Sequence, residues 1–245
     1  MEQIPKTIHY IWFGKKEKSK LIKKCIESWK KYLPDYEIIE WNEENYDINK
    51  SQYIKEAYEA KKYAFAADYA RFDIIYNYGG VYFDTDVELL KPIPEEYLKY
   101  NGFAGMEGNN KVNPGLVLVA KQKNILIQEI LDKYNEMSYL ENTNKTVVDI
   151  TTEILRKHGF EENGKKQQIE NFVIFPSEYF CAYDFDIKEF EITSNTISIH
   201  HYTFTWGSKR NKLIIKIKMA IKKIVGKDMY RNILKIKRKI FGVRN

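Results

Sequence analysis

The start of the chain follows a strand, helix, strand pattern. Residues 4–13 (IPKTIHYIWF) form an apolar run that is typical of a buried strand. Across residues 19–33 the apolar positions recur at helical spacing with lysines between them, which predicts an amphipathic helix with Ser19 as its N-cap. A second strand is predicted at residues 36–41. This β-α-β order favours a parallel sheet with crossover helices.

The same alternation continues through most of the chain. A helical pattern covers residues 52–78 in one or two pieces, and Gly79 and Gly80 fit its C-terminal end. The remaining pattern predicts strands at 81–83, 87–90, 103–106, 115–120, 172–176 and 196–202, and helices at 125–136 and 146–158. We therefore expect one α/β domain over residues 1–208.

Two carboxylates, Asp84 and Asp86, come directly after the apolar segment GGVYF. Hard carboxylate oxygens at the end of a buried strand suit Mg²⁺ or Mn²⁺. Such a cation would neutralise the charge of a leaving diphosphate, so the pair points to a nucleotide-sugar substrate. A DxD tripeptide alone is often a surface loop; the preceding glycines and strand make this interpretation specific.

Asp68 and Arg71 lie three residues apart in a helix rich in alanine and aromatic residues, and therefore share one face. A surface ion pair at this spacing would contribute about 0.3–0.5 kcal/mol. In a buried helix the desolvation of such a pair costs stability, so a pair that is kept there indicates a functional role. We expect it to contact the nucleoside and phosphates.

The segment 67–92, together with the opening IHYIWFG, resembles glycosyltransferase family 32, the enzymes with a DXD sugar-binding region. That family includes fungal outer-chain mannosyltransferases and bacterial capsule and lipopolysaccharide transferases, and the same layout occurs in large glucosylating toxins. The resemblance implies a GT-A fold with Rossmann-like nucleotide-sugar binding. It also implies a donor bound through Mn²⁺ or Mg²⁺ and retention of the anomeric configuration.

The resemblance implies a role for each matching residue on the donor side. Trp12 would stack on the base, with a core position as the alternative. Asp68 would contact the ribose or donor sugar, and Arg71 the sugar or diphosphate. Tyr82 would approach the nucleotide.

The resemblance implies a metal site as well. Asp84 would hold the ribose and a metal-bound water, and Asp86 would bind the cation directly. His200 and His201 end a predicted strand, and an imidazole is an acceptable ligand for Mn²⁺; the family pattern favours His201. Trp206 would lie near the diphosphate, although the residues before it depart from the family pattern.

Two further polar residues are candidates. Asn113, before Gly115 and a predicted strand, resembles the strand start that faces the donor sugar, with a plain turn as the alternative. Asp149 is either an acid on a helix face or a residue of the acceptor site.

Charge is distributed unevenly along the chain. Residues 209–245 carry 14 Lys and Arg against one acid, Asp228, whereas residues 1–208 have a net charge of −7. Lysines alternate with aliphatic residues in this tail, which predicts basic amphipathic helices that bind an anionic membrane or pack on the domain. No nucleic-acid recognition module is visible, so we do not expect nucleic acid as a partner.

The chain has two cysteines, Cys25 and Cys181, in apolar surroundings, which indicates buried thiols rather than a disulfide framework. No signal peptide and no run of about 18 apolar residues is visible. We therefore expect a cytoplasmic protein that is peripheral at the inner face of the membrane.

The expected reaction is hexosyl transfer from a uridine-linked donor to a glycan or lipid-linked oligosaccharide in surface polysaccharide synthesis. The alternatives are a toxin-like protein glycosyltransferase, a non-catalytic glycan- or nucleotide-binding module, and a basic membrane or nucleic-acid adaptor.

Overall fold

The computed structural model describes residues 3–185 and 187–202, with the single positions 225, 226, 229, 232 and 236. In this part of the chain the strands are β1 Thr7–Ile11, β2 Glu37–Trp41, β3 Gly80–Tyr82, β4 Val87–Leu89, β5 Gly102–Met106, β6 Val112–Ala120, β7 Gln167–Ile169, β8 Phe172–Phe175, β9 Tyr183–Asp184, β10 Glu189–Phe190 and β11 Ser198–His200. The α-helices are α1 Lys20–Tyr32, α2 Gln52–Glu59, α3 Tyr63–Tyr78, α4 Ile125–Asn135, α5 Val147–Lys157 and α6 Ser177–Phe180, and a 3-10 helix covers Glu95–Lys99.

These elements confirm the predicted α/β class and most of the predicted order. The helical region before the glycine pair forms two helices, α2 and α3. Ser19 caps α1 as predicted, since its hydroxyl accepts a hydrogen bond from the Ile22 amide. The first strand is shorter than its apolar run. The basic tail predicted at 209–245 lies almost entirely outside the described residues.

The central sheet has seven strands in the order β2-β1-β3-β6-β5-β8-β7. The first three are parallel, as the β-α-β opening predicted. Beyond them the sheet is mixed, so the prediction of a parallel sheet is wrong for part of it. β6 is antiparallel to both β3 and β5, and β7 is antiparallel to β8, whereas β5 and β8 are parallel. A fully buried antiparallel strand and a parallel one share the same continuous apolar pattern, so the pattern could not distinguish them.

Helices cover both faces of this sheet, and each face has its own apolar core. Helices α2 to α5 pack on one face, and their buried residues include Tyr53, Phe72 and Tyr134. Helix α1 packs on the other face through Cys25 and Trp29. A two-stranded sheet of β4 and β11 lies beside α1, where the Trp29 indole donates to the Val87 carbonyl at 2.8 Å.

The strand directions bring four chain segments to one edge of the sheet. β1 and β3 run parallel and both end there. The antiparallel pairing of Tyr82 with Leu118 places the start of β6 at the same edge. The pairing of Met106 with Val112 brings the end of β5 there too. The DxD segment follows β3, so it emerges among these ends.

Candidate active site

The turn after β3 is fixed from both sides. The Asp84 amide donates to the Gly115 carbonyl at 3.0 Å, and the Asp84 carbonyl accepts from the Val87 amide at 3.0 Å. At the start of the strand, Gly79 and Gly80, the latter the first residue of β3, have φ angles of 64° and 100°, which favour glycine. The two carboxylates therefore occupy a defined turn rather than a loose surface loop.

Asp68, Arg71, Tyr82 and Asp84 form one contiguous network. The Arg71 Nη2 atom lies 2.7 Å from Asp68 Oδ1 and 3.3 Å from Asp84 Oδ1. The Tyr82 hydroxyl donates to the same Asp84 oxygen at 2.9 Å, and the guanidinium lies 4.9 Å from the centre of the Tyr82 ring. The predicted helical pair is thus joined directly to the first acid of the DxD motif.

Burial sets the electrostatics of this network. Asp68 and Arg71 are 8% and 3% exposed. Burial raises the pKa of the Asp68 carboxyl to about 7, with the Arg71 charge opposing the shift and the Asp84 charge adding to it. Burial also raises the pKa of Tyr82 well above its usual value, so its phenol stays protonated and donates to Asp84.

One nitrogen of Arg71 has no partner. Nη1 is buried without a hydrogen bond, whereas the neighbouring Nη2 binds two carboxylates. A Cβ at Gly115 would lie 3.0 Å from Nη1 and 2.1 Å from Asp84 Oδ2, so only glycine leaves both groups in place. An unsatisfied guanidinium N–H beside a carboxylate suits one oxygen of a bound phosphate or sugar.

Asp86 is paired with His200 across β4 and β11. Asp86 Oδ1 lies 2.7 Å from His200 Nε2, and both side chains are buried. Burial lowers the pKa of His200, but the charge of Asp86 and its hydrogen bond outweigh that effect, and the net shift is upward. His200 Nδ1 is buried without a hydrogen-bond partner.

His201 points away from Asp86. Its Nε2 atom lies 2.8 Å from Glu88 Oε2, and Glu88 also binds Lys24 at 2.7 Å. The structure thus places the imidazole of His200, rather than that of the favoured His201, against the Asp86 carboxylate, while the His201 amide donates to the Asp86 carbonyl at 3.0 Å. The imidazoles of the two neighbouring histidines therefore bind different carboxylates, those of Asp86 and Glu88.

The donor set is suitable for a cation that is shared with the substrate. Asp84 and Asp86 offer hard oxygens, whereas His200 Nε2 already contacts Asp86 Oδ1 and orients that carboxylate. No group of three His, Cys, Asp or Glu side chains in the described residues is close enough to enclose a metal ion. A cation there would need phosphate oxygens and water to complete its coordination, as Mg²⁺ commonly does.

Trp12 and Asn113 lie at the same sheet edge. Trp12 follows β1, is half-buried, donates from Nε1 to the Lys16 carbonyl at 2.6 Å, and has Lys18 Nζ 5.5 Å from its ring centre. Asn113 is buried near the start of β6, and its Oδ1 accepts from the Gly115 amide at 2.8 Å. The stacking role of Trp12 and the sugar contact of Asn113 stay predictions.

The two other candidates have different outcomes. Asp149 caps α5 in a capping box with Thr146 and binds Lys111 at 2.7 Å, which explains it as a structural residue. Trp206 lies outside the described residues.

Sequence analysis missed two residues near the site. Glu107 follows β5 and accepts from Asn113 Nδ2 at 3.0 Å, and burial raises its pKa. His9, in β1, holds the carbonyl of Gly79 with its Nε2 atom at 3.0 Å. Neither residue belongs to a local motif; a buried histidine within an apolar strand was the one available signal for His9.

Comparisons with known proteins agree with this geometry. The family model described as "Glycosyltransferase sugar-binding region containing DXD motif" matches residues 19–104, which include the network and both DxD acids. The resemblance seen in the sequence is thereby confirmed.

Two curated relatives match about half of the chain each. "Subversion of eukaryotic traffic protein A" of Legionella pneumophila subsp. pneumophila is 26% identical over 168 residues, covering 56% of this chain and 26% of that protein. "Inositol phosphoceramide mannosyltransferase 3" of Schizosaccharomyces pombe is 28% identical over 138 residues, covering 52% of this chain and 36% of that protein. The matches therefore span well under half of either relative.

The solved structure titled "PaToxG Glycosyltransferase" aligns with a TM-score of 0.50 and 22% identity, covering 64% of this chain and 70% of that chain. This likeness supports the GT-A-like fold.

Proposed function

We propose that this chain, which carries the DXD-type sugar-binding region of the glycosyltransferases, transfers a hexosyl group from a nucleotide sugar to a glycan or lipid-linked oligosaccharide. The observation that carries the proposal is the buried network of Asp68, Arg71, Tyr82 and Asp84, joined in sequence to the Asp86–His200 pair. The expected donor is uridine-linked, and retention of configuration is carried over from the family resemblance.

In the proposed mechanism, the buried network orients the donor. Asp68 holds the guanidinium of Arg71 through one nitrogen, which leaves Nη1 to bind an oxygen of the leaving diphosphate. Tyr82 donates to Asp84 and fixes the carboxylate that would contact the ribose. Because the guanidinium is already positioned and partly desolvated, little reorganisation is needed when charge develops on the diphosphate.

Asp86 and Asp84 would hold a divalent cation together with the diphosphate. When bound, that cation would neutralise charge on the leaving group. His200 keeps Asp86 oriented through the 2.7 Å contact. With no carboxylate assigned as a nucleophile, we favour a same-face substitution in which the departing phosphate takes the proton of the acceptor hydroxyl.

The test is hydrolysis of a panel of UDP- and GDP-sugars, with Mn²⁺ compared with EDTA. We expect slow, metal-dependent hydrolysis of one donor and its loss in Asp86→Asn. Asp35→Asn is the matched control, because Asp35 is an exposed aspartate whose side chain is 78% accessible. Absence of both hydrolysis and metal-dependent nucleotide binding would refute the proposal.

A second candidate is transfer to a protein acceptor. The relative named for subversion of eukaryotic traffic favours it. Mass spectrometry of proteins incubated with the chain and the identified donor would detect an added hexose. Transfer to protein but to no saccharide would favour this candidate.

We also propose that the basic segment 209–245 binds an anionic membrane, which would place the enzyme at the inner face of the cell membrane beside a lipid-linked acceptor. Its 14 Lys and Arg against one acid support this proposal. Among the described residues no helix is long and apolar enough to cross a bilayer. Sedimentation with vesicles, with and without phosphatidylserine, tests it; equal binding to both would contradict it.

A further inference from the structure

A cleft of about 680 Å³ opens beside the DxD site. Its lining comes from three parts of the chain: the loop after β5 (107–109), the start of α6 (177–178), and residues 182–185, 191 and 193 in and around β9 and β10. None of the residues that sequence analysis assigned to the donor or metal lines it. The cleft is therefore a separate space next to the proposed donor site.

One wall of the cleft is connected to Asp84 through short contacts. Glu107 lines the cleft and accepts from Asn113 Nδ2 at 3.0 Å. Asn113 accepts from the Gly115 amide at 2.8 Å, and the Gly115 carbonyl accepts from the Asp84 amide at 3.0 Å. Glu107 thus faces the cleft and is linked to Asp84 of the DxD turn through two intermediate residues, Asn113 and Gly115.

The other wall is connected to His200 through aromatic rings. Tyr183 and Phe185 line the cleft, and their rings lie 5.4 Å and 4.9 Å from that of Tyr202. The Tyr202 ring lies 4.2 Å from the imidazole of His200, which binds Asp86. Both walls therefore lead to the two acids of the DxD motif.

The chemistry of the lining points to an uncharged saccharide. Four carboxylates line the cleft, from Glu107, Glu178, Asp184 and Glu191, and no Lys or Arg is among its described lining residues. Carboxylates accept hydrogen bonds from sugar hydroxyls, and aromatic rings offer an apolar surface for a sugar ring. An anionic saccharide would meet like charges, which raises the cost of its binding.

We propose that this cleft is the acceptor site and that it selects a neutral saccharide over an anionic one. The inference rests on the proposed glycosyltransferase function and adds the chemical class of its acceptor. Glu107 would contact the hydroxyl end nearest the DxD turn, whereas Phe185 and Glu178 would bind the sugar rings farther out.

The experiment measures two quantities separately. The dissociation constant for UDP with Mn²⁺ reports on the donor site. The acceptor KM is measured with the identified donor, with maltotriose, cellotriose, mannotriose and chitotriose as neutral probes and trigalacturonate as the anionic one. Phe185→Ala and Glu178→Gln test the cleft. Glu27→Gln is the matched control for the second variant, because Glu27 is exposed on α1 and pairs only with Lys30 among the described contacts.

We expect transfer to at least one neutral trisaccharide and a preference for it over trigalacturonate. Each cleft variant should raise the acceptor KM about tenfold, the effect of losing one hydrogen bond to a charged group or one aromatic contact. The UDP dissociation constant should not change. Glu178→Gln should reduce the difference in acceptor KM between trigalacturonate and the neutral trisaccharide.

Three results would overturn the inference while leaving the donor site intact: metal-dependent UDP binding without transfer to any neutral probe, a preference for trigalacturonate, or an unchanged acceptor KM in both variants. If neither UDP nor GDP binds in a metal-dependent way, the proposed function itself is refuted. If Phe185→Ala fails to fold, Glu178→Gln alone decides, because it preserves the shape of the side chain.

Discussion

We expect the burial of His9 to make the stability of the domain depend on pH. The imidazole is 1% exposed, and its Nε2 atom lies 3.0 Å from the Gly79 carbonyl. The Trp41 indole donates to Nδ1 at 3.1 Å. A carbonyl on one side and an N–H on the other require the neutral ring with its proton on Nε2. Burial accordingly lowers the pKa of His9 to about 4, although the bond to Gly79 opposes the shift.

The magnitude follows from proton linkage. The ordinary histidine pKa of 6.5 applies to the unfolded chain, and the folded value is about 4. Stability is therefore fully present above pH 6.5 and is lost as the pH falls towards 4, because the unfolded chain binds the proton more tightly. This interval corresponds to about 3 kcal/mol of unfolding free energy, of which about 2 kcal/mol is lost between about pH 7.5 and about pH 5.

The assay is urea unfolding of the wild type and His9→Gln across this pH range. Glutamine can still donate to the Gly79 carbonyl, but it leaves the Trp41 indole without an acceptor, so the variant should be less stable by about 1–3 kcal/mol at neutral pH. Other titrating groups act on both proteins, and their effects cancel in the difference.

We expect the difference in unfolding free energy to shrink by about 2 kcal/mol on acidification to about pH 5. A constant difference across the range would refute the neutral, buried imidazole. The result also bears on the site, because His9 holds Gly79 at the start of β3, the strand that leads into the DxD turn. A Cβ at Gly80 would lie only 3.2 Å from His9 Nε2.

Three further predictions concern the network and the core. Gly115→Ala should reduce donor hydrolysis at least about tenfold, because its Cβ would lie 2.1 Å from Asp84 Oδ2; an unchanged rate would contradict the geometry. Arg71→Ala should lower the unfolding free energy by about 3–5 kcal/mol in urea titrations, since it leaves Asp68 buried without its counter-charge; a loss below about 1 kcal/mol would argue against a buried pair. Cys25 should resist a thiol reagent until the chain unfolds, because burial raises its pKa to about 12; rapid labelling of the native protein would contradict this.

The local pattern of the chain predicted the elements that carry the network. The i, i+3 spacing of Asp68 and Arg71 placed them on one helix face, and the structure shows them 2.7 Å apart. The glycine pair and the apolar strand predicted where the DxD acids would emerge. Such predictions succeed because helix and strand periodicities report burial within a short window of sequence.

Side chains that meet across long sequence separations could not be predicted in the same way. Asp86 and His200 are 114 residues apart, and their contact depends on the pairing of β4 with β11. Which of the two histidines faces Asp86 depends on the register of that pairing, because a shift of one residue would exchange them.

The sequence by itself determined the α/β class, the β-α-β opening, the position of the DxD acids and the charge of the tail, because each depends on residue types and their local spacing. Only the tertiary structure decided the antiparallel direction of β6. That direction brings Gly115 beside Asp84, with Asn113 linking Gly115 to Glu107, and it thereby joins the cleft to the DxD site. Strand direction in a buried sheet is set by long-range backbone hydrogen bonds, and these leave no periodic signal in the chain.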